Sequence, residues 1–201
     1  MRLRSLFRGR HGIAAPEFAL IAPLLILALM AMIDLTRLVV TALKLDQVAA
    51  GVSDIGTQFE ELRQGMEVVK GNEVGILFVA AQEVAKPLDL KAYGAVIVTS
   101  VANLGNGPAI MWQQCWSGDA CVNWPTSEIG STVGAAPALP DGFTLRVGES
   151  ALFAEAYYLL QPYLLSANWF STDNDERIAV RKMRRMAVFR PRFGTLTTLV
   201  P

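Results

Sequence analysis

Histidine is almost missing from this 201-residue chain: His11 is the only one. Catalysis by Ser-His or Cys-His pairs, and metal binding through imidazole, therefore have no residue to use beyond position 11. Cysteine is nearly as scarce, with Cys115 and Cys121 alone. Two thiolates cannot complete a four-ligand structural zinc site. Net charge is also lacking, because 18 basic side chains balance 18 acidic ones. That balance provides no basic field for nucleic acid. No internal repeat or low-complexity tract appears, and residues 19–33 carry no charge at all.

What is present is apolar. The chain is 52% hydrophobic with mean hydropathy +0.35, high for a soluble domain, and the N-terminal third accounts for much of it. As a helix, residues 13–33 would extend roughly 30 Å, enough to cross the hydrocarbon of a bilayer. Arg2, Arg4, Arg8 and Arg10 precede this run with no acid among them. The positive-inside rule then predicts a cytoplasmic N-terminus, with everything from about Leu45 onward on the far side. Pro16 suits a first helical turn, whereas Pro23 is interior and should bend or loosen the helix. Asp34 and Arg37, three residues apart on one face, can neutralise each other near the outer interface.

Glu17 stands where the chain enters the bilayer, and ionisable groups near hydrocarbon are costly and usually functional. An ordinary secretory leader has its small-residue cut site after the apolar run. Here the plausible site lies before it, so cleavage would remove the basic leader and keep the helix. Loss of residues 1–12 leaves 14 basic against 18 acidic side chains, a net of −4. Seven of those bases fall between Arg177 and Arg192.

The stretch Arg8-Gly9-Arg10-His11-Gly12-Ile13-Ala14-Ala15-Pro16-Glu17-Phe18 resembles the class III signal of type IV pilins and pseudopilins. The resemblance implies that a prepilin peptidase cuts between Gly12 and Ile13. It also implies that Glu17, with Phe18 beside it, guides packing against other pilin or pseudopilin subunits. Glu17-Phe18-Ala19-Leu20, the apolar run and Ile33-Asp34-Leu35-Thr36-Arg37 are more narrowly similar to TadE-like pseudopilins of the tight-adherence (Tad/Flp) pilus. Strong similarity covers about residues 8–45. Weaker landmarks are Ala85-Lys86-Pro87-Leu88-Asp89-Leu90, Ala154-Glu155-Ala156-Tyr157 and Arg190-Pro191-Arg192. Pro16 departs from the small or β-branched residue expected there. No Asp-x-Ser-x-Ser motif of the larger TadG-type relatives is present.

Past the membrane the helix should continue to about Arg63, because Leu35, Leu38, Ala42, Leu45, Ala49, Val52, Gly56 and Phe59 recur in steps of three and four. Lys44, Gln47, Asp54 and Glu60 lie opposite. Residues 73–86 read as a second helix stopped by Pro87. Residues 93–101 read as a strand, central because Val96-Ile97-Val98 are apolar on both faces. The turn cluster at 103–108 joins it to a strand at 109–116. Residues 117–142 form a long loop, residues 145–160 are mostly strand, and residues 178–189 form the last strand. The expectation is an α+β fold, a long transmembrane helix continuing into a pilin-like domain with a meandering antiparallel sheet. Its segments are a leader at 1–12, a transmembrane helix at 13–43, a helix extension at 44–64 and a periplasmic domain at 65–201.

Cys115 and Cys121 fall in an oxidising compartment by this topology, so a disulfide is expected, with two free thiols as the alternative. Gly148-Glu149-Ser150-Ala151-Leu152 begins like a nucleophile elbow but lacks the final glycine and any base. Glu149 and Glu155 on one strand would stand about 20 Å apart, too far for a glycosidase pair. Asp173, Asp175 and Glu176 read as a solvated turn, lacking the glycine-bearing loop of a calcium site. Glu155 shares a strand face with Phe153 and Tyr157. Either that face is buried and Glu155 needs Arg181, Lys182 or Arg184, or the face is exposed. The basic run at 181–192 reads as a charged edge strand or as a surface for lipid headgroups or an acidic partner. Trp112, Trp116, Trp124 and Trp169 belong to a core or to a binding surface.

The expectation is thus a non-enzymatic minor pseudopilin of the bacterial inner membrane, with no cofactor or metal. Its partners are prepilin peptidase, pilin subunits, pilus assembly proteins and the membrane, and not nucleic acid. The alternative is an uncleaved, signal-anchored periplasmic binding domain.

Overall fold

Helix α1 runs Ala14–Gly56, with Pro23 inside it. The structure is a computed structural model that describes residues 14–117, 121, 126–161 and 181–201, side chains at 14, 15 and 181 excepted. The leader, Gly12, Ile13, Trp124, Trp169, the 173–176 acids and the expected strand start at 178 lie outside the described residues. The chain divides into two compact units, residues 1–39 with 161–179 and residues 40–160 with 180–201. In the first, α1 is exposed along its apolar length, and Arg37 Nη1 donates to the Gln161 carbonyl at 3.1 Å.

The second unit is an α+β fold around a four-stranded antiparallel sheet. Its strands are β2 (Gly94–Asn103), β3 (Pro108–Ser117), β4 (Ser150–Leu160) and β5 (Arg181–Phe189), in the order β3-β2-β4-β5. A meander would place β4 beside β3. Instead β4 pairs with β2, from Gly94↔Tyr158 to Ala102↔Ser150. The expectation failed because hydrophobic pattern fixes which residues form a strand and says nothing about which edge a long connection returns to. The central position of β2 agrees with its apolar run, and every residue of it is buried.

Both faces of the sheet are covered. On one lie α1 and α2 (Val74–Ala85), and Phe78 of α2 stacks on Trp116 at 6.0 Å. Thr41, Leu45, Val48, Ala49, Val52 and Ser53 form the buried stripe of α1. Each large aliphatic so buried contributes roughly 1.5–3 kcal/mol. The expected seam holds at Leu45, Ala49, Val52 and Gly56, whereas Leu35 is exposed and Phe59 is past the helix. The helix ends at Gly56, short of the 44–64 extension expected. Glycine propagates helix poorly, and Thr57 starts a turn in which its N–H bonds the Ser53 carbonyl and its hydroxyl the Asp54 carbonyl. Gly56 also allows close approach to the sheet, since a Cβ there would lie 2.4 Å from Leu152 Cδ2.

On the other face the loop after β3 forms a strap. Ile129 and Leu145 from it pack with Val101, Ile110, Ala151 and Phe153. The strap also pairs with β3, Gly134 N–H to the Ile110 carbonyl at 2.7 Å and Ile110 N–H to the Ala135 carbonyl at 3.0 Å. Residues 145–149, expected as strand, are the end of this strap. Gly148 there has φ +83°, a left-handed conformation that a ladder cannot use. Three small elements have no sequence precedent: α3 (Leu90–Tyr93), capped by Asp89, and the parallel pair β1 (Leu62–Arg63) with β6 (Leu199–Val200).

Candidate functional site

Two places collect the residues that sequence reasoning singled out. The first is the N-terminal part of α1. Glu17 lies in its first turn and is exposed, as is Phe18 at 67%. Unpaired N–H groups and the helix dipole at this end favour a carboxylate. Beyond it, Leu20, Leu24, Leu29 and Met32 are each at least 60% exposed. The helix is long and apolar enough to cross a membrane, with a window of mean hydropathy 2.5 in which nothing is buried. An apolar surface of that extent needs lipid or protein against it. Chemically, this end of the chain can insert and can present one acid.

The second place is Glu155, which is fully buried on β4. Its Oε1 accepts from Arg184 Nη2 at 2.8 Å and Nε at 3.1 Å, from Glu128 N–H at 3.1 Å and from Tyr157 Oη at 3.2 Å. Ser127 Oγ donates to Oε2. This answers the question left open by the sequence: the face is buried, and of the three cations proposed, Arg184 is the partner. Burial first, and then the adjacent Glu155 carboxylate, push the Tyr157 phenol well above its ordinary range. The phenol therefore serves as a donor and not as a base. The cluster is closed on itself, a clamp that joins β4, β5 and the strap. Ser127 and Glu128 carry no signal in the sequence, because they sit mid-loop with no periodicity to mark them.

Other candidates resolve into structure. Arg184 also pairs with Glu128, Arg185 with Asp46 at 3.2 Å, Arg190 with Glu149 at 3.3 Å and Arg192 with Asp54 at 2.8 Å. These four arginines of the basic run thus find acids within the protein, and β5 is an edge strand. Cys115 and Cys121 form a disulfide. Trp112 is core, its indole N–H and the Ser100 hydroxyl both donating to the Leu196 carbonyl at 2.8 Å. Leu196 has φ +44°, a conformation costing roughly 1–2 kcal/mol in a non-glycine residue. Ser150 of the elbow-like stretch simply begins β4. Glu73 caps its own loop, accepting from Lys70 N–H at 2.7 Å and Gly71 N–H at 2.9 Å. The Lys70 N–H is the main reason its carboxyl is held below the usual range. Among the described residues no three His, Cys, Asp or Glu side chains converge as a metal would require.

The exposed apolar helix and the packed sheet define an α+β protein in which, among the described residues, one helix is long and apolar enough to serve as a membrane anchor. Residues 12–53 match the model of the family described as TadE-like protein. The match starts at Gly12, includes Glu17 and covers about a fifth of the chain, so this N-terminal segment is TadE-like and the resemblance read from residues 8–45 holds there. Comparison with curated proteins and with solved structures gives no match.

Proposed function

We propose that this chain is a minor pseudopilin-like, non-enzymatic component of Tad/Flp pilus assembly, processed by a prepilin peptidase after Gly12. The observation that carries the reading is an exposed acid, Glu17, at the start of an unburied apolar helix within the TadE-like segment. The basic leader holds the N-terminus in the cytoplasm, and the sheet domain lies in the periplasm, where the Cys115–Cys121 disulfide is stable. Cleavage frees the Ile13 amine. Glu17 then pairs with a neighbouring subunit's amine in apolar surroundings, where attraction is strong and an unpaired carboxylate costly, so register between subunits is set. Pilin subunits, the peptidase, assembly proteins and the inner membrane are the partners.

The test is the mature N-terminus by mass spectrometry. Ile13 supports the reading; Met1 returns the chain to the alternative, an uncleaved periplasmic binding domain. Glu17→Ala should leave insertion intact and abolish incorporation into pili, and normal incorporation by that variant would sink the docking role.

A further inference from the structure

Six asparagines occur in the chain, and only Asn106 is followed by glycine. The pair Asn106-Gly107 lies in the link, residues 104–107, that turns β2 into β3. This link bends with no hydrogen-bonded turn of its own, and Asn106 is exposed. Among the described residues, neither the Asn106 carboxamide nor the Gly107 N–H has a hydrogen-bond partner. Joining the Gly107 nitrogen to Asn106 Cγ would close a five-membered ring. A side chain on the second residue normally hinders that approach. Gly107 has none, and even a Cβ built there would meet nothing within 4 Å. Its φ of +99° is one that glycine adopts without strain.

Asn103, in the same hairpin, is the opposite case. It is buried, its Nδ2 donates to the Leu145 carbonyl and its Oδ1 accepts from the Gly105 N–H, both at 3.0 Å. Leu104 follows it, so the attacking nitrogen is hindered as well. Asn72 donates to the Glu61 carbonyl at 3.4 Å and is followed by Glu73. The fold thus holds these two asparagines and leaves Asn106 loose.

We propose that Asn106 is a self-modification site, converted to isoaspartate and aspartate in the folded protein without an enzyme. Hydroxide takes the Gly107 amide proton, the nitrogen attacks Asn106 Cγ, and ammonia leaves. Water then opens the resulting succinimide at either carbonyl. Opening at the main-chain carbonyl leaves Gly107 joined through Cγ, which is isoaspartate; opening at Cγ gives aspartate. One water is consumed and one ammonia released, and no oxidant or cofactor enters. Isoaspartate lengthens the turn by one methylene, and either product adds a negative charge to a stretch, 103–108, that carries none. The step is independent of cleavage after Gly12 and of pilus assembly.

Ageing the full chain in micelles at mildly alkaline pH in water enriched in heavy oxygen, followed by peptide mapping by mass spectrometry, tests it. Asn106 should take up solvent oxygen at least roughly tenfold faster than Asn103 or Asn72, because only its successor lacks a side chain. Isoaspartate should exceed aspartate at this position, and Asn106→Gln, which would need a six-membered ring, should remove the label. The same chain unfolded in guanidinium isolates the effect of the fold. The native rate at Asn106 should stay within roughly tenfold of the unfolded rate, since no hydrogen bond restrains the pair. A native rate below that margin, aspartate without isoaspartate, or faster labelling at another asparagine would overturn the inference.

Discussion

Arg184 makes two ion pairs, and the two are worth very different amounts. Glu128 is mostly exposed, so that pair is screened and contributes about 0–1 kcal/mol. Glu155 is fully buried and directs Oε1 at the guanidinium in a two-bond fork. Arg184→Ala therefore leaves a buried carboxylate without its cation, a loss of about 3–5 kcal/mol. Glu128→Ala should cost no more than about 1 kcal/mol. Replacing both partners with apolar side chains, Glu155→Leu together with Arg184→Met, should not recover stability as buried-pair replacements often do. Ser127, the Glu128 N–H and Tyr157 would each lose their acceptor. Urea unfolding of the full chain in micelles, followed by tryptophan fluorescence, reads these differences because Trp112 is buried in the same unit. Protease sensitivity of residues 126–149 should rise in parallel. If Arg184→Ala costs under about 1 kcal/mol, or Glu128→Ala costs as much, the clamp is not what holds the strap.

The remaining predictions concern other contacts. Gly56→Ala puts a methyl 2.4 Å from Leu152 Cδ2 and should destabilise by about 1–3 kcal/mol, partly relieved by Leu152→Ala, as thermal unfolding would show. Glu73 is held ionised by backbone N–H groups, so its folded value lies below its unfolded one. Its contribution is present above the unfolded value and lost as pH falls through the folded one, and Glu73→Gln should flatten stability across that acid window. Removing the disulfide by Cys115→Ser with Cys121→Ser should cost about 2 kcal/mol, read as a shift in the urea midpoint.

Strands and helices are legible where the pattern is local. The turn residues at 103–108, with Asn103 Oδ1 accepting from Gly105 N–H, announce the hairpin, and Pro87 marks the end of α2 within two residues. The end of α1 is not legible in this way. Phe59 continues the apolar spacing, whereas the close packing of Gly56 on Leu152 and the turn at Thr57 stop the helix first. The basic run looks like one surface, yet its arginines turn to acids on α1, the strap and the residue just before β4, far away in sequence.

Composition and period alone settled the apolar anchor, the scarcity of histidine, the central apolar strand and the place of Glu17, since each depends on neighbours within a few residues. Only the tertiary structure decided that β4 returns beside β2, that Glu155 is buried, and that Arg184, Ser127 and Glu128 close on it. Those contacts join residues 27 to 29 positions apart. Nothing local records such a pairing; it is fixed by the cost of leaving a buried carboxylate unmatched.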